Sequence, residues 1–331
     1  MPKQNLWTAA TQKRASDIHV ITGYPPVLRI DGVLTPIDKQ ALSESEVNAL
    51  IHKFLNENQY KRFLADGDLD CSYLLEDGTR LRINCHMASG APAFAARLIP
   101  NKVPTLADVE MPGAVMNLCR QRDGMVLFTG PTGSGKSTSM AAIVQELLKS
   151  ESLNIITLED PIEFRFLPEK GLVRQRELGT DFPSFPEGLK HVLRQDPDVV
   201  MVGEMRDLES ISLALTLAET GHLMLATLHT PNSTQTIDRI VDVFPPHQQA
   251  QVRVQLSLSL KAVVAQRLYP KKGGGRIANR EILVKTPAVA NIIREHRLAE
   301  LGSVLQTGAQ DGMVTFEKDL KRLIKEGRVE L

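Results

Sequence analysis

The 331-residue chain has little cysteine, no surplus charge of either sign and no long apolar run. Its three cysteines, Cys71, Cys85 and Cys119, form no CxxC pair, so neither a disulfide framework nor a four-thiolate zinc site can be built from them. Lys plus Arg equals Asp plus Glu at 39 each. The balance holds on both sides of residue 100, which leaves no basic arm for nucleic acid and no acidic tail. No apolar stretch approaches the roughly 18–20 residues that would span a bilayer. The opening MPKQNLWTAATQKR lacks the apolar centre of a secretory signal, so a cytoplasmic protein is expected. With 42% hydrophobic and 24% charged residues, the composition is that of a globular protein rather than a disordered one. At ~150 residues per domain the length suggests two domains.

What is present changes character along the chain. Up to residue 99, short β-patterned pieces at 18–22, 27–30, 70–75, 80–86 and 94–99 surround one helical stretch, 43–64, and together predict a small α+β domain over residues 1–99. The helix opens with Ser43 and Glu46 at capping-box spacing and carries Val47, Leu50, Ile51, Phe54 and Leu55 at helical intervals. Asp31-Gly32 and Asp77-Gly78 read as hairpin turns. Residues 100–112 hold three prolines, each of which disfavours regular structure around it, and this segment is read as the linker. From residue 113 to 331, apolar strands at 125–129, 154–158, 199–202 and 223–228 alternate with helical patterns, which argues for a mainly parallel sheet covered on both faces. Val252, Val254, Leu256, Leu258 and Leu260 alternate with polar residues, and by periodicity alone they read as a strand. Gly273 to Gly275 read as a hairpin tip before a strand at 280–284.

Residues 130–137, GPTGSGKS, match GxxxxGK[ST] in full, after the apolar strand MVLFT and before a helix-compatible run. A chance match in a chain of this length is on the order of one in a hundred. Gly130, Gly133 and Gly135 let the backbone turn its N–H groups onto phosphate oxygens, and Pro131, Thr132, Ser134 and Thr138 complete the loop. Lys136 adds a point charge at the β/γ-phosphates, and the Ser137 hydroxyl suits Mg²⁺. Acidic groups should then lie at the carboxyl ends of neighbouring strands. Strand 154–158 runs into Glu159, Asp160 and Glu163, and strand 199–202 runs into Gly203-Glu204. A carboxylate at Glu204 can orient and deprotonate a water or hold the metal. His222 and His229 flank a third strand in GHLMLATLHT.

Together GPTGSGKST, ITLEDPIEF, DPDVVMVGEMRD and GHLMLATLHT resemble the type II/type IV secretion ATPase superfamily, whose members carry a Walker A motif, an Asp box, an atypical Walker B and a His box in this order. RASDIHV near the start resembles the opening of that family's N-terminal domain. TPAVANIIRE, residues 286–295, is similar to the C-terminal signature of the pilus-retraction, PilT-like branch, with Ala290 where the usual form has a basic residue. Assembly and type II secretion motors generally add an N-terminal region and a four-cysteine zinc module, and neither is expected here.

The resemblance implies an α/β fold in which a RecA-like P-loop ATPase domain follows a smaller PAS-like N-terminal domain. It also implies a cytoplasmic homohexamer at the inner-membrane face that hydrolyses ATP with Mg²⁺ to drive pilus retraction and twitching motility, with an inner-membrane platform protein and related retraction ATPases as partners. Membrane association would be peripheral, through those partners. The phosphates would fall to Lys136 and Ser137, catalysis to Glu204 with Glu163 assisting, γ-phosphate sensing to His222 and His229, and the metal to Ser137, Glu159, Asp160 and Glu204. Arg82 and Arg97 match the N-terminal arginines that the family sends to the phosphates. The resemblance also implies a helix, not a strand, over residues 252–260. Other readings fare less well: a pilus-assembly or secretion ATPase shares the fold, a RecA-like nucleic-acid motor lacks its basic footprint, a GTPase lacks NKxD, and a non-hydrolysing ring subunit would not need an intact Lys136 and Glu204.

Overall fold

The computed structural model describes residues 5–13, 15–30, 32–99 and 102–330. Arg14 of RASDIHV, Asp31 of the first hairpin turn and Pro100 at the head of the linker lie outside the described residues. The chain divides into two compact units, Met1–Lys102 and Val103–Leu331.

In the first unit the order is α1 (Asn5–Gln12), β1 (Asp17–Ile21), β2 (Val27–Ile30), β3 (Val33–Pro36), α2 (Glu44–Phe54), α3 (Glu57–Asp66), β4 (Asp68–Leu74), β5 (Arg80–Ala88) and β6 (Ala91–Ile99). The strands form one antiparallel sheet in the order β3-β2-β1-β6-β5-β4. Alternate residues Ile18, Val20, Leu81, Ile83, Cys85, Phe94 and Ala96 point to one face, where Val47, Leu50, Ile51 and Phe54 of α2 cover them. The single helix expected over 43–64 is two helices. Asn56 accepts from the Gln59 N–H while Gln59 returns a bond to the Asn56 N–H, a second capping box that starts α3 and breaks the run. Strand β3 is short and exposed, with no apolar alternation to mark it in the sequence.

The second unit runs α4 (Gly113–Leu118), β7 (Gly124–Thr129), α5 (Lys136–Ser150), β8 (Asn154–Glu159), β9 (Leu172–Glu177), α6 (Phe185–Val192), β10 (Val199–Val202), α7 (Leu208–Glu219), β11 (Leu223–Leu228), α8 (Ser233–Asp242), α9 (Pro246–Ser259), β12 (Leu260–Pro270), β13 (Arg276–Val284), α10 (Pro287–Arg294), α11 (Leu301–Thr307) and α12 (Phe316–Lys325). Its sheet has the order β13-β12-β7-β11-β10-β8-β9, with only the β12–β13 pair antiparallel. Every residue of β7, β10 and β11 is buried, as a parallel strand covered on both faces requires. Met125 and Leu127 pack with α7, α8 and α9 on one side, and Val126 and Phe128 with α4 and α5 on the other.

Residues 252–259 are helical, as the resemblance implies and the alternation does not. Val252 and Leu256 face inward while Val254 and Leu258 are exposed. Two i,i+4 stripes interleaved on one helix produce the same period of two as a strand. Strands β9 and β12 were not legible, because LVRQRE is largely polar and β12 follows α9 without a break.

Candidate nucleotide site

Strand β7 ends at Thr129 and the chain turns at once through Gly130, Gly133 and Gly135, with φ of +139°, +78° and +86°. A Cβ on Gly130 would lie 2.4 Å from the Gln266 carbonyl oxygen and 2.7 Å from Ser134 Oγ, so only glycine fits between β12 and the loop. Helix α5 opens at Gly135 without a side-chain cap, leaving its first N–H groups to a ligand. Pro131, Thr132 and Gly133 are exposed, while Ser137 and Thr138 sit half-buried in the first turn. Lys136 is nearly buried, and its Nζ donates to the carbonyls of Gly130 (2.8 Å) and Pro131 (3.1 Å). Burial lowers its pKa, opposed by the nearby charges of Glu204 and Glu163. Ser134 Oγ is buried with no partner. This loop offers donors and positive charge around a hollow, the chemistry that a phosphate chain needs.

The acids lie at the same sheet edge, because β8 and β10 are parallel with Leu158 beside Val202. Gly203 N–H donates to the Leu158 carbonyl, and the Thr227 hydroxyl donates to the Gly203 carbonyl at 2.5 Å, which fixes the turn that presents Glu204. The Glu204 carboxylate is held by Arg206 through both oxygens (2.6 and 2.7 Å) and by His229 Nε2 at 2.9 Å. Burial pushes Glu204 up, but Arg206 and His229 outweigh it and hold the carboxyl below its ordinary value. Glu163 and Glu204 are thus brought to Lys136, and His229 to Glu204.

Two expected assignments need correction. Glu159 is buried and accepts from Thr157 Oγ1 (2.6 Å) and Gln175 Nε2 (3.1 Å), and burial raises its pKa, so this carboxylate ties β8 to β9 rather than facing a metal. His222 precedes β11, at the sheet edge opposite the loop, and its Nδ1 contacts the Leu217 carbonyl and Thr220 Oγ1. Six strand residues at ~3.3 Å each separate it from the cradle of its own chain. Among the described residues no three His, Cys, Asp or Glu side chains gather as a metal site. Mg²⁺ bound with a nucleotide needs only one or two protein ligands beside phosphate and water, and Ser137 with the exposed Asp160 and the half-buried Glu204 suits that.

Sequence reasoning missed Arg206, Gln266 and Arg280. Arg206 stands within GEMRD, but nothing in spacing says that it pairs back to Glu204. Gln266 and Arg280 sit on β12 and β13 and are buried beside the loop. Next to Gly135 and Thr138 a cavity of ≈ 290 Å³ is lined by Leu268, Arg276, Ile277 and Ala278, apolar in part and flanked by cations.

In the N-terminal unit Arg82 and Arg97 are exposed and directly opposed across β5 and β6. Asp17 on β1 is opposite both Arg97 and Arg29, and it accepts from Arg97 Nε at 2.8 Å. Three arginines and one aspartate thus form a row across four strands. Like charges placed directly opposite cost stability, which makes the Arg82–Arg97 pair unfavourable unless an anion meets it.

Residues 3–291 match the family model of type II/IV secretion system proteins. The chain is 44% identical over 324 residues to the type IV pilus retractation ATPase PilT of Pseudomonas aeruginosa, covering 98% of this chain and 94% of that one. It is 43% identical over 305 residues to a twitching motility protein of Neisseria gonorrhoeae, covering 92% and 82%. Among solved structures it superposes on the pilus retraction motor PilT with bound ADP at a TM-score of 0.94 and 40% identity, covering 100% and 95%.

Proposed function

The chain belongs to the type II/IV secretion system protein family, and from that membership we propose that it is an ATP-hydrolysing motor driving type IV pilus retraction and twitching motility. The observation that carries the reading is the meeting of the uncapped, glycine-lined start of α5 with Glu204 and His229 at one sheet edge. The motor works as a cytoplasmic homohexamer at the inner-membrane face, linked to the membrane through a platform protein. Its N-terminal unit is the PAS-like domain, and the proline-rich segment 100–112 leads from it into the second unit, whose core Val103, Leu106 and Met111 join.

Lys136, the loop amides and Ser137 hold the phosphates, and the cavity beside Thr138 and Leu268 receives the nucleoside. Ser137, with Asp160 or Glu204, would hold Mg²⁺, which would supply positive charge against the phosphates. Glu204, kept ionised by Arg206, takes the proton of the attacking water, while Glu163 orients that water and His229 reports the state of Glu204. Arg82 and Arg97 neutralise charge that develops on the transferring phosphoryl group, a task suited to a guanidinium that stays ionised.

Deletion in the source organism tests direction as well as activity. Excess surface filaments with lost twitching support retraction, whereas loss of filaments assigns the motor to assembly. Purified protein should release phosphate from ATP, and Lys136→Ala should bind ATP poorly.

A further inference from the structure

Gln266 lies 130 residues beyond Lys136 in sequence, yet its side chain enters the middle of the cradle. It is 1% exposed, and each end of its amide is used. Nε2 donates to the Ser134 carbonyl at 3.2 Å. Oε1 accepts from Ser139 Oγ at 2.8 Å and from Arg280 Nε at 3.1 Å. The polarity of that amide is set by Arg280, because a guanidinium donates and never accepts. With the amide reversed, its NH₂ would face the Arg280 N–H and its oxygen would face the Ser134 carbonyl, two repulsive contacts in place of two bonds. Arg280 is itself fixed. Its other nitrogens donate to the carbonyls of Val109 (2.6 Å) and Glu110 (3.0 Å), and its backbone N–H donates to Asp319. Burial pushes its pKa down to about 10, which still leaves it charged near neutrality.

The carbonyl that Gln266 holds shares a peptide plane with the Gly135 N–H. In a trans peptide the two point in opposite directions. Drawing the Ser134 oxygen toward β12 therefore aims the Gly135 N–H away from β12, into the hollow of the loop. Nothing local enforces this. Gly135 has φ +86°, and a glycine in that region tolerates the opposite orientation of the preceding peptide at little steric cost. A Cβ on Gly135 would lie 3.6 Å from Gln266 Nε2, so the amide also backs that residue directly.

We infer that Gln266 is a positioning residue for phosphate binding: oriented by Arg280, it locks the Ser134–Gly135 peptide so that the Gly135 N–H faces the phosphates. The inference rests on the nucleotide reading above and adds the element that makes the loop a preformed anion site.

The test compares three full-length proteins, the wild type, Gln266→Met and Gln266→Glu, with inorganic pyrophosphate and ATP as probes. Methionine keeps the volume and removes every bond. Glutamate keeps the acceptors for Ser139 and Arg280. While ionised it loses the donor to Ser134 and adds a negative charge that repels any anion. The methionine variant therefore carries the affinity comparison and the glutamate variant the resonance. The methionine variant should bind pyrophosphate about tenfold or more weakly, the size of one lost charge-assisted hydrogen bond. ATP affinity should fall in the same ratio, with KM rising much more than kcat falls. The Gly135 amide resonance should move in the glutamate variant, whose thermal unfolding should stay near that of the wild type. Pyrophosphate binding by the methionine variant within about twofold of wild type overturns the inference. Should the methionine variant fail to fold, the Gly135 amide resonance of the glutamate variant decides, and an unmoved resonance overturns the inference. A wild type that binds neither probe would instead overturn the nucleotide reading itself.

Discussion

At the scale of single residues, Glu204 is the proposed base, and its two partners, Arg206 and His229, make its behaviour predictable. Removing the carboxylate in Glu204→Ala should leave ATP binding intact while turnover falls at least a hundredfold, roughly 3 kcal/mol in the barrier. Steady-state phosphate release beside nucleotide affinity checks this, and near-normal turnover would remove Glu204 from the mechanism. Arg206 gives a second test with a defined sign. Burial raises the Glu204 pKa, and Arg206 is first among the groups that lower it. A base works only while ionised, so in the wild type the acid limb of turnover should lie below the ordinary carboxylate value. In Arg206→Ala burial gains, the pKa rises, and the limb should move to higher pH in a profile of kcat. An unmoved limb would mean that Arg206 does not govern Glu204 in the working enzyme. Lys136, Ser137 and Glu204 could be named from sequence because motif spacing encodes them. Arg206, Gln266 and Arg280 could not, since their roles depend on which strands become neighbours.

Elements were legible wherever one periodicity dominated and illegible where two overlapped. The buried runs MVLFT, NIITL, VVMV and LMLATL announced strands β7, β8, β10 and β11, because parallel strands covered on both faces need unbroken apolar sequence. Helix α9 displayed the opposite case, two apolar stripes summing to a false strand. In the N-terminal unit the continuous apolar spacing over 43–64 concealed the break at Leu55-Asn56. Asn56 was readable as a cap, with Gln59 three residues on, but the pair lies inside a helical pattern and the pattern prevailed. The break has an energetic consequence. Asn56→Ala removes the side-chain acceptor of the Gln59 N–H and should cost ~1 kcal/mol, whereas Asn56→Asp should cost little. Denaturant unfolding followed through the tyrosine and tryptophan signals of that unit checks the difference, and equal stability of the two variants would show that α3 does not depend on its cap.

On the scale of the whole molecule the arginine row poses the question of which cradle it serves. Arg82, Arg97 and Arg29 stand in one row of directly paired residues across the sheet, with one aspartate of that row, Asp17, between two of them. Zero net charge for the chain conceals this local excess, so composition alone gave no sign of it. In a homohexamer the row of one subunit can act on its own nucleotide or on a neighbour's. Mixing separates the two cases. A Lys136→Ala subunit has a damaged cradle but intact arginines, and an Arg82→Ala/Arg97→Ala subunit has the reverse. If the arginines act across the interface, rings assembled from both should hydrolyse ATP faster than the average of the separate variants, because some intact cradles then face intact arginines. If they act within one chain, no such pairing exists, and the mixture should equal that average at every ratio. The measurement is phosphate release against mixing ratio after dissociation and reassembly. An upward bow assigns the row to the neighbouring cradle, and a straight line assigns it to its own.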